Sequence, residues 1–369
     1  MTHPTSVMLA AGGTGGHLFP AFALAEELAR RGVAVDLITD MRGDRYGAGF
    51  PARAVYQVPA ATLASRTPVA AAKTALALAR GTKAAHAILG KVKPAVVIGF
   101  GGYPTYPPLV AARLRGIATA VHEQNAVLGR ANRLLAKRVT AIATSFDRTK
   151  YLDGDLIAKS RFTGNPVRQA VVTAAARALE PMSASGPIRL LVFGGSQGAR
   201  FFSDSVPPAL AALPPDLKSR LQVVQQARDE DLARVQQAYA QSGIAAEVAP
   251  FFKDLPERMA AAHLIIGRAG ASTVAELTVI GRPSLLVPLP HSLDNDQLNN
   301  ARRLAESGGG WCIEQKDLTA ARFTAEISGL LTNPQTLAAA AEAAKRAGRP
   351  DAVARLADFV LELATARTV

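Results

Sequence analysis

The stretch Gly194-Gly195-Ser196-Gln197-Gly198-Ala199-Arg200 directly follows a largely apolar run at 188–193. Apolar residues with β-branched members, then glycines where a side chain would block close approach, predict a buried strand feeding a glycine-rich turn and a helix. Such a turn aims backbone N–H groups at an anion. Residues 7–31 repeat the plan. An apolar run at 7–11 leads into Gly12-Gly13-Thr14-Gly15-Gly16-His17, and 20–31 reads as the helix. Pro20 suits a first helical turn, Leu24 and Leu28 share a face, Arg30 and Arg31 fall in the last turn, and Gly32 can end it. One design used twice implies two nucleotide-binding-like halves, and 369 residues suffice for two α/β domains, each with its own core.

Further strands are predicted at 33–39, 53–58, 95–100, 117–121 and 139–144, then at 221–225, 245–249, 264–267 and 284–287, with helices between them. This alternation points to a parallel sheet in each half. Residues 69–90, rich in alanine, read as helical across Gly81. The turn Thr163-Gly164-Asn165-Pro166-Val167-Arg168 and the weakly patterned 179–187 mark a connection, so a hinge is expected near Gly164 with Arg168 at an interdomain cleft.

Lys and Arg total 42 against 29 Asp and Glu, a net charge of +13. That balance suits a polyanionic partner: nucleic acid, anionic lipid or a phosphorylated substrate. Aromatic residues make up only 5% and no zinc-finger or RNP-like motif occurs, so nucleic acid ranks last. The single cysteine, Cys312, excludes an internal disulfide and fits a reducing compartment. The N-terminus lacks a charged n-region, which argues against a signal peptide and for the cytoplasm. The longest uncharged run, 94–112, contains Gly99, Gly101, Gly102, Pro104, Pro107 and Pro108. These would break a membrane-spanning helix, so the run reads as strand, loop and helix. Lys73, Leu76, Arg80 and Lys83 fall on one side of the 69–90 helix. Such a stripe is either an ordinary solvated face or a surface that rests on anionic lipid.

Polar clusters follow the predicted strand ends at 101–104 and at His122-Glu123-Gln124-Asn125, where open parallel sheets bind ligands. Neither glycine turn is a Walker loop, and neither fits Gly-x-Gly-x-x-Gly, because Leu18 stands three residues past Gly15. Asp36 or Asp40 could still serve a dinucleotide ribose, which leaves a nicotinamide-dependent dehydrogenase open. A basic non-enzymatic scaffold is a further alternative, against which the strand-end clusters argue. In 268–276 a small-residue helix start admits a diphosphate, and Glu276 can accept both hydroxyls of a ribose. A capping box of Ser272 or Thr273 with Glu276 is equally available from this segment alone. Its combination with 194–198 favours a nucleotide.

These motifs, namely 12–17, 122–125, 163–168, 194–200 and 268–276 in this order, closely resemble the MurG family of glycosyltransferases over nearly the whole chain. The resemblance implies a GT-B fold, an α/β architecture of two Rossmann-like domains with parallel sheets facing across a cleft. Residues 1–163, with a returning helix at 351–369, would form the acceptor and membrane side, and 164–350 the UDP-sugar-binding domain. It implies an inverting transfer of N-acetylglucosamine from UDP-N-acetylglucosamine to the muramyl 4-hydroxyl of lipid I, forming lipid II. Another lipid acceptor, such as a diacylglycerol, is the alternative within the same fold.

Residue by residue, Thr14, Gly15 and Gly16 match the donor-contacting turn, and Asn125 the asparagine near the donor sugar. Arg168 and Ser196 match diphosphate contacts. Ala271, Ser272, Thr273, Val274, Ala275 and Glu276 match the helix start whose glutamate holds the ribose, with Ser272 where the family often has Leu. Phe252 stands near the uracil where Ile is common, and Gln297 matches a glutamine that contacts N-acetylglucosamine. Of two candidates for the base, His17 leads and Glu123 is the rival; alternatively His17 only hydrogen-bonds the acceptor. The family implies no metal and no other cofactor, and the Asp pairs 153/155, 229/231 and 294/296 read as solvated loops. Expected partners are UDP-N-acetylglucosamine, undecaprenyl-linked lipid I, an anionic membrane surface, and the division or elongation machinery. The expected location is peripheral, on the cytoplasmic face of the bacterial inner membrane.

Overall fold

In a computed structural model, the structure describes residues 6–12, 15–40, 49–61, 67–183, 185–195 and 199–366. The chain forms two compact units: Met1–Arg168 with Pro350–Val369, and Gln169–Arg349.

In the first unit the described residues form β1 (Ser6–Ala10), β2 (Ala34–Thr39), β3 (Ala54–Gln57), β4 (Val96–Gly99), β5 (Ala118–Glu123), β6 (Ala141–Thr144) and β7 (Ser160–Phe162), in the order β3-β2-β1-β4-β5-β6-β7. Every ladder is parallel. The inner strands of such a sheet are buried on both faces, as the wholly buried and largely apolar β1 and β4 are, while the edge strands β3 and β7 are partly exposed. Alternate residues of β1 serve opposite layers. Val7 and Leu9 pack with Leu24, Leu28, Leu356 and Val360. Met8 packs with Leu89, Leu109 and Leu135 on the other face.

The second unit repeats the arrangement with β8 (Ile188–Phe193), β9 (Leu221–Gln226), β10 (Ala245–Ala249), β11 (Leu264–Gly267), β12 (Ser284–Leu286) and β13 (Gly310–Cys312), in the order β10-β9-β8-β11-β12-β13. In each sheet the direction of winding reverses once, between β1 and β4 and between β8 and β11. The carboxyl end of such a switch point is where a doubly wound sheet leaves a crevice. Both glycine-rich stretches emerge there.

Several boundaries differ from the sequence expectation. The first helix is Gly15–Arg30, with Pro20 inside it rather than at its start. Proline's fixed φ is helical, so only one N–H is lost, the one that would meet the Gly16 carbonyl. His17 consequently lies in the first helical turn and not in a loop. Strand β7 is a three-residue edge, too short for a period to register. Strand β13 opens on Gly310, where a Cβ would come within 2.5 Å of the Ser284 carbonyl oxygen. Close strand packing demands glycine here, and in a sequence that glycine reads as a turn.

The helix Pro68–Val92 is capped by Thr67, whose hydroxyl accepts from the Ala70 N–H at 3.3 Å, and stopped by Lys93 at φ 53°. Its Gly81 is buried, and a Cβ there would collide with the Pro59 carbonyl oxygen. The glycine inside this helix is thus a contact point, not a break. The last helix, Ala352–Thr365, belongs to the first unit and packs on Gly15–Arg30. Ion pairs Arg31–Asp358 at 2.5 Å and Arg161–Glu362 at 2.7 Å border it.

Candidate active site

At the first unit's switch point, His17 sits against the turn after β4. Gly101 and Gly102 have φ of 87° and 73°, and a Cβ on either would lie 3.3 to 3.5 Å from the imidazole. Glycine is therefore favoured by the backbone conformation, and the turn lies in contact with the ring. Nδ1 of His17 lies 3.2 Å from Oε1 of Gln124. Gln124 Nε2 reaches both His122 Nδ1 and the His122 carbonyl oxygen at 3.0 Å, and His122 Nε2 lies 3.1 Å from the Gly164 carbonyl oxygen. His122 is wholly buried, and burial pulls its pKa down to about 4.

Glu123 faces the opposite way along the strand. Oε1 accepts from the Asn125 N–H at 3.0 Å and from Asn125 Nδ2 at 3.3 Å, while Oε2 accepts from the Gly129 N–H and Asn132 Nδ2, both at 2.8 Å. Burial raises its carboxyl above the usual range, against four donors that favour the charged form. Both oxygens are engaged inside the protein, so Glu123 has the geometry of a clamp on the 125–129 loop, not that of the rival base. Asn125, half-buried, is the residue this clamp orients. Arg168 is exposed and closes the first unit, its guanidinium 5.9 Å from the Phe19 ring centre. Gly15 begins the first helix and Gly16 is exposed. Thr14 and Ser196 lie outside the described residues.

In the second unit, the Gly194 N–H donates to Gln226 Oε1 at 3.2 Å, and Gln226 Nε2 donates to the Pro250 carbonyl at 3.1 Å, so the end of β9 braces the glycine turn. Helix Ala271–Ile280 is capped by Gly270 with no side-chain hydrogen bond. The capping-box reading of Ser272, Thr273 and Glu276 therefore fails. The first-turn N–H groups of Ala271, Ser272 and Thr273 have no partner within the helix ladder, which leaves this end able to receive an anion. Ala271, Ser272, Thr273 and Ala275 are half-buried. Val274 is buried in the core and its N–H bonds the Gly270 carbonyl, so it shapes the turn from behind. Glu276 is buried one turn in.

Gln297 Oε1 accepts from the Ala269 N–H at 3.3 Å and the Leu289 N–H at 3.0 Å, which ties together the loops after β11 and β12 and leaves its amide nitrogen as the donating end. Phe252 is buried beneath the Arg258 guanidinium, 4.4 Å from the ring centre, and Arg258 is held by Glu247 and Asp254. The larger ring is thus packed as a covered wall.

Five polar positions to which sequence reasoning assigned no individual role add to the geometry: His122, Gln124 and Arg268 within its motifs, and Asn132 and Gln226 outside them. Arg268 is buried, donates to the Val287 and Pro288 carbonyls and to Gln315 Oε1, and lies 5.2 and 5.1 Å from the Phe201 and Phe202 ring centres. Burial lowers its pKa to about 10, still cationic at neutral pH. His122 and Gln124 flank Glu123 within one motif, and their two-residue spacing at a strand end was the available signal. Among the described residues, no group of three His, Cys, Asp or Glu side chains converges as a metal site. Lys73, Leu76, Arg80 and Lys83 are all exposed on helix Pro68–Val92, and no described helix is long and apolar enough to cross a membrane.

Known proteins bear directly on this geometry. The glycosyltransferase family 28 N-terminal domain model matches residues 7–144 and the C-terminal domain model 189–356. A UDP-N-acetylglucosamine--N-acetylmuramyl-(pentapeptide) pyrophosphoryl-undecaprenol N-acetylglucosamine transferase from Rhodopseudomonas palustris (strain BisB18) is 55% identical over 97% of this chain and 96% of its own. Its namesake from Mesorhizobium japonicum is 53% identical over 98% and 96%. The solved MurG of Acinetobacter baumannii is 29% identical with a TM-score of 0.82, covering 97% of this chain and 100% of its own. The UDP-GlcNAc 2-epimerase of Neisseria meningitidis, 14% identical with a TM-score of 0.67 over 97% and 100%, shares the fold. With both domain models matched in order and relatives at this identity over nearly its full length, the chain belongs to glycosyltransferase family 28, in its MurG group.

Proposed function

We propose that this protein transfers N-acetylglucosamine from UDP-N-acetylglucosamine to the muramyl 4-hydroxyl of lipid I, making lipid II of peptidoglycan. The observation that carries the reading is 55% and 53% identity, over nearly the entire chain, to transferases with that activity. In the transfer the acceptor oxygen bonds the anomeric carbon as the carbon–oxygen bond to the diphosphate breaks. The bonding pair leaves with UDP, the hydroxyl proton passes to a base, and the anomeric configuration inverts.

Negative charge then grows on the diphosphate. In this reading it meets the first-turn N–H groups of Ala271–Ile280, and the family resemblance adds Ser196 and Arg168 as diphosphate contacts. Buried Arg268 keeps a fixed positive charge in the same unit, held by the Val287 and Pro288 carbonyls. Glu276 takes the ribose hydroxyls, the Gln297 amide nitrogen the sugar, Asn125 the donor sugar region, and Phe252 packs on the uracil side. His17 receives the acceptor proton. The acceptor and membrane side belongs to the first unit and the donor to the second.

These N–H and guanidinium groups give the leaving charge a place without a metal. Enzyme treated with a chelator should keep its rate, and a loss restored by a divalent cation would overturn that part. The lipid acceptor gives the +13 balance and the exposed Lys73, Leu76, Arg80 and Lys83 a purpose, as a peripheral contact with the anionic cytoplasmic leaflet of the inner membrane. Residence there would bring the enzyme within reach of the division and elongation machinery. The test of function is UDP release with and without a short-chain lipid I analogue. Acceptor-dependent release supports the reading, and release driven only by a different lipid acceptor refutes it.

A further inference from the structure

We infer that His122 and Gln124 are positioning residues that hold His17 in its Nδ1–H tautomer, so that its Nε2 lone pair is the proton acceptor. The inference rests on the reading of His17 as the base.

Two main-chain carbonyls, which can only accept, settle the direction of every bond in the chain. The Gly164 carbonyl lies 3.1 Å from His122 Nε2, so that nitrogen carries the hydrogen. In the neutral ring His122 Nδ1 is then the acceptor. The Gln124 amide end facing it stands 3.0 Å from this Nδ1 and 3.0 Å from the His122 carbonyl oxygen. An oxygen there would face two acceptors, so this end is the NH2 group, with both hydrogens used. The opposite end, Oε1, carries no hydrogen and lies 3.2 Å from His17 Nδ1. His17 Nδ1–H must donate to it, and the neutral imidazole keeps its lone pair on Nε2. Burial keeps His122 neutral at physiological pH, so the relay stays in this sense.

The partner is an amide, which orients the ring without adding the full charge that a carboxylate would. The ionisable groups on elements around this end of the sheet are His122 and Glu123 from β5, Tyr103 after the Gly101–Gly102 turn, Arg168 against Phe19, and Asp40 against Gly12. Glu123 is engaged by its own loop, and Gln124 Oε1 meets Nδ1.

Nitrogen-15 NMR of histidine-labelled full-length enzyme, with the His17 signals assigned by the His17→Ala variant, reads the tautomer directly. His17 should show protonated Nδ1 and unprotonated Nε2, and Gln124→Met should relax it toward the Nε2–H form with kcat falling about ten- to a hundredfold at near-constant donor KM. Gln124→Glu places a carboxylate on Nδ1, favours the imidazolium and should move the acid limb of kcat/KM up by about one unit or more. His122→Asn, which keeps an acceptor for Gln124, should retain more kcat than His122→Phe. A wild-type His17 protonated on Nε2, or an acid limb unmoved in Gln124→Glu, overturns the relay. If instead His17→Ala keeps kcat while the Nδ1–H tautomer is observed, the base assignment fails and the relay stands.

Discussion

His122 carries a stability consequence that is independent of catalysis. Its folded pKa is about 4 against an ordinary 6.5, so between those values the unfolded chain binds a proton that the folded chain refuses. Its contribution is complete above about pH 6.5 and is lost as pH falls toward 4, roughly 3 kcal/mol at 1.36 kcal/mol per unit. Denaturant unfolding at a series of pH values should show this loss in the wild type and a flatter slope in His122→Asn; equal slopes would refute it. Glu123 makes the second residue-scale prediction. Removing it in Glu123→Ala strands four buried or half-buried donors, at a cost of about 3 kcal/mol, and releases Asn125, so stability and donor KM should suffer together. Residues 122–125 were legible as a site from their place after a strand. That Glu123 clamps while His122 and Gln124 relay depends on Asn132 and Gly164, which are distant in sequence and reach the strand end only when the sheet forms.

At the scale of elements, a glycine inside a helix proves to be a contact point. Gly81 lets helix Pro68–Val92 lie on the Pro59 carbonyl. Gly81→Ala should raise intrinsic helix propensity yet lower stability by about 1–3 kcal/mol, because the backbone oxygen cannot move aside as a flexible side chain would. A stabilised variant in thermal unfolding would contradict this. On the exposed side of the same helix, reversing charge at Lys73, Arg80 and Lys83 together should weaken co-sedimentation with anionic vesicles and leave binding to neutral vesicles unchanged. Vesicle binding indifferent to both lipid charge and these substitutions would remove the helix from the membrane surface. Its alanine-rich composition predicted this helix through its glycine. Apolar periodicity could not find β13, whose opening Gly310 is demanded by the Ser284 carbonyl beside it.

Over the whole molecule, each unit has its own sheet and core, and the end of the chain completes the unit that its beginning started. Leu356, Phe359 and Val360 lie in the core of the first unit beside Leu24 and Leu28. Truncation after Arg349 should therefore loosen the first unit by about 5–9 kcal/mol, at roughly 1.5–3 kcal/mol for the lost burial of each of these three side chains. Hydrogen exchange should rise in Gly15–Arg30 and β1 while the strands of the second unit keep their protection. Uniform loss across both units would show that the two cores are not independent.

By itself, the sequence determined the repeated strand–turn–helix plan, the parallel α/β class, the two glycine-rich turns and the family, because these rest on local periodicity, on glycine where backbone must approach closely, and on ordered motifs. Tertiary structure alone decided the strand order that puts β1 beside β4 and β8 beside β11, the buried Arg268 tied to the Val287 and Pro288 carbonyls, and the chain of bonds from Gly164 through His122 and Gln124 to His17. Each of these joins groups far apart along the chain. Their partners are set by which strands lie side by side, which local propensity does not encode.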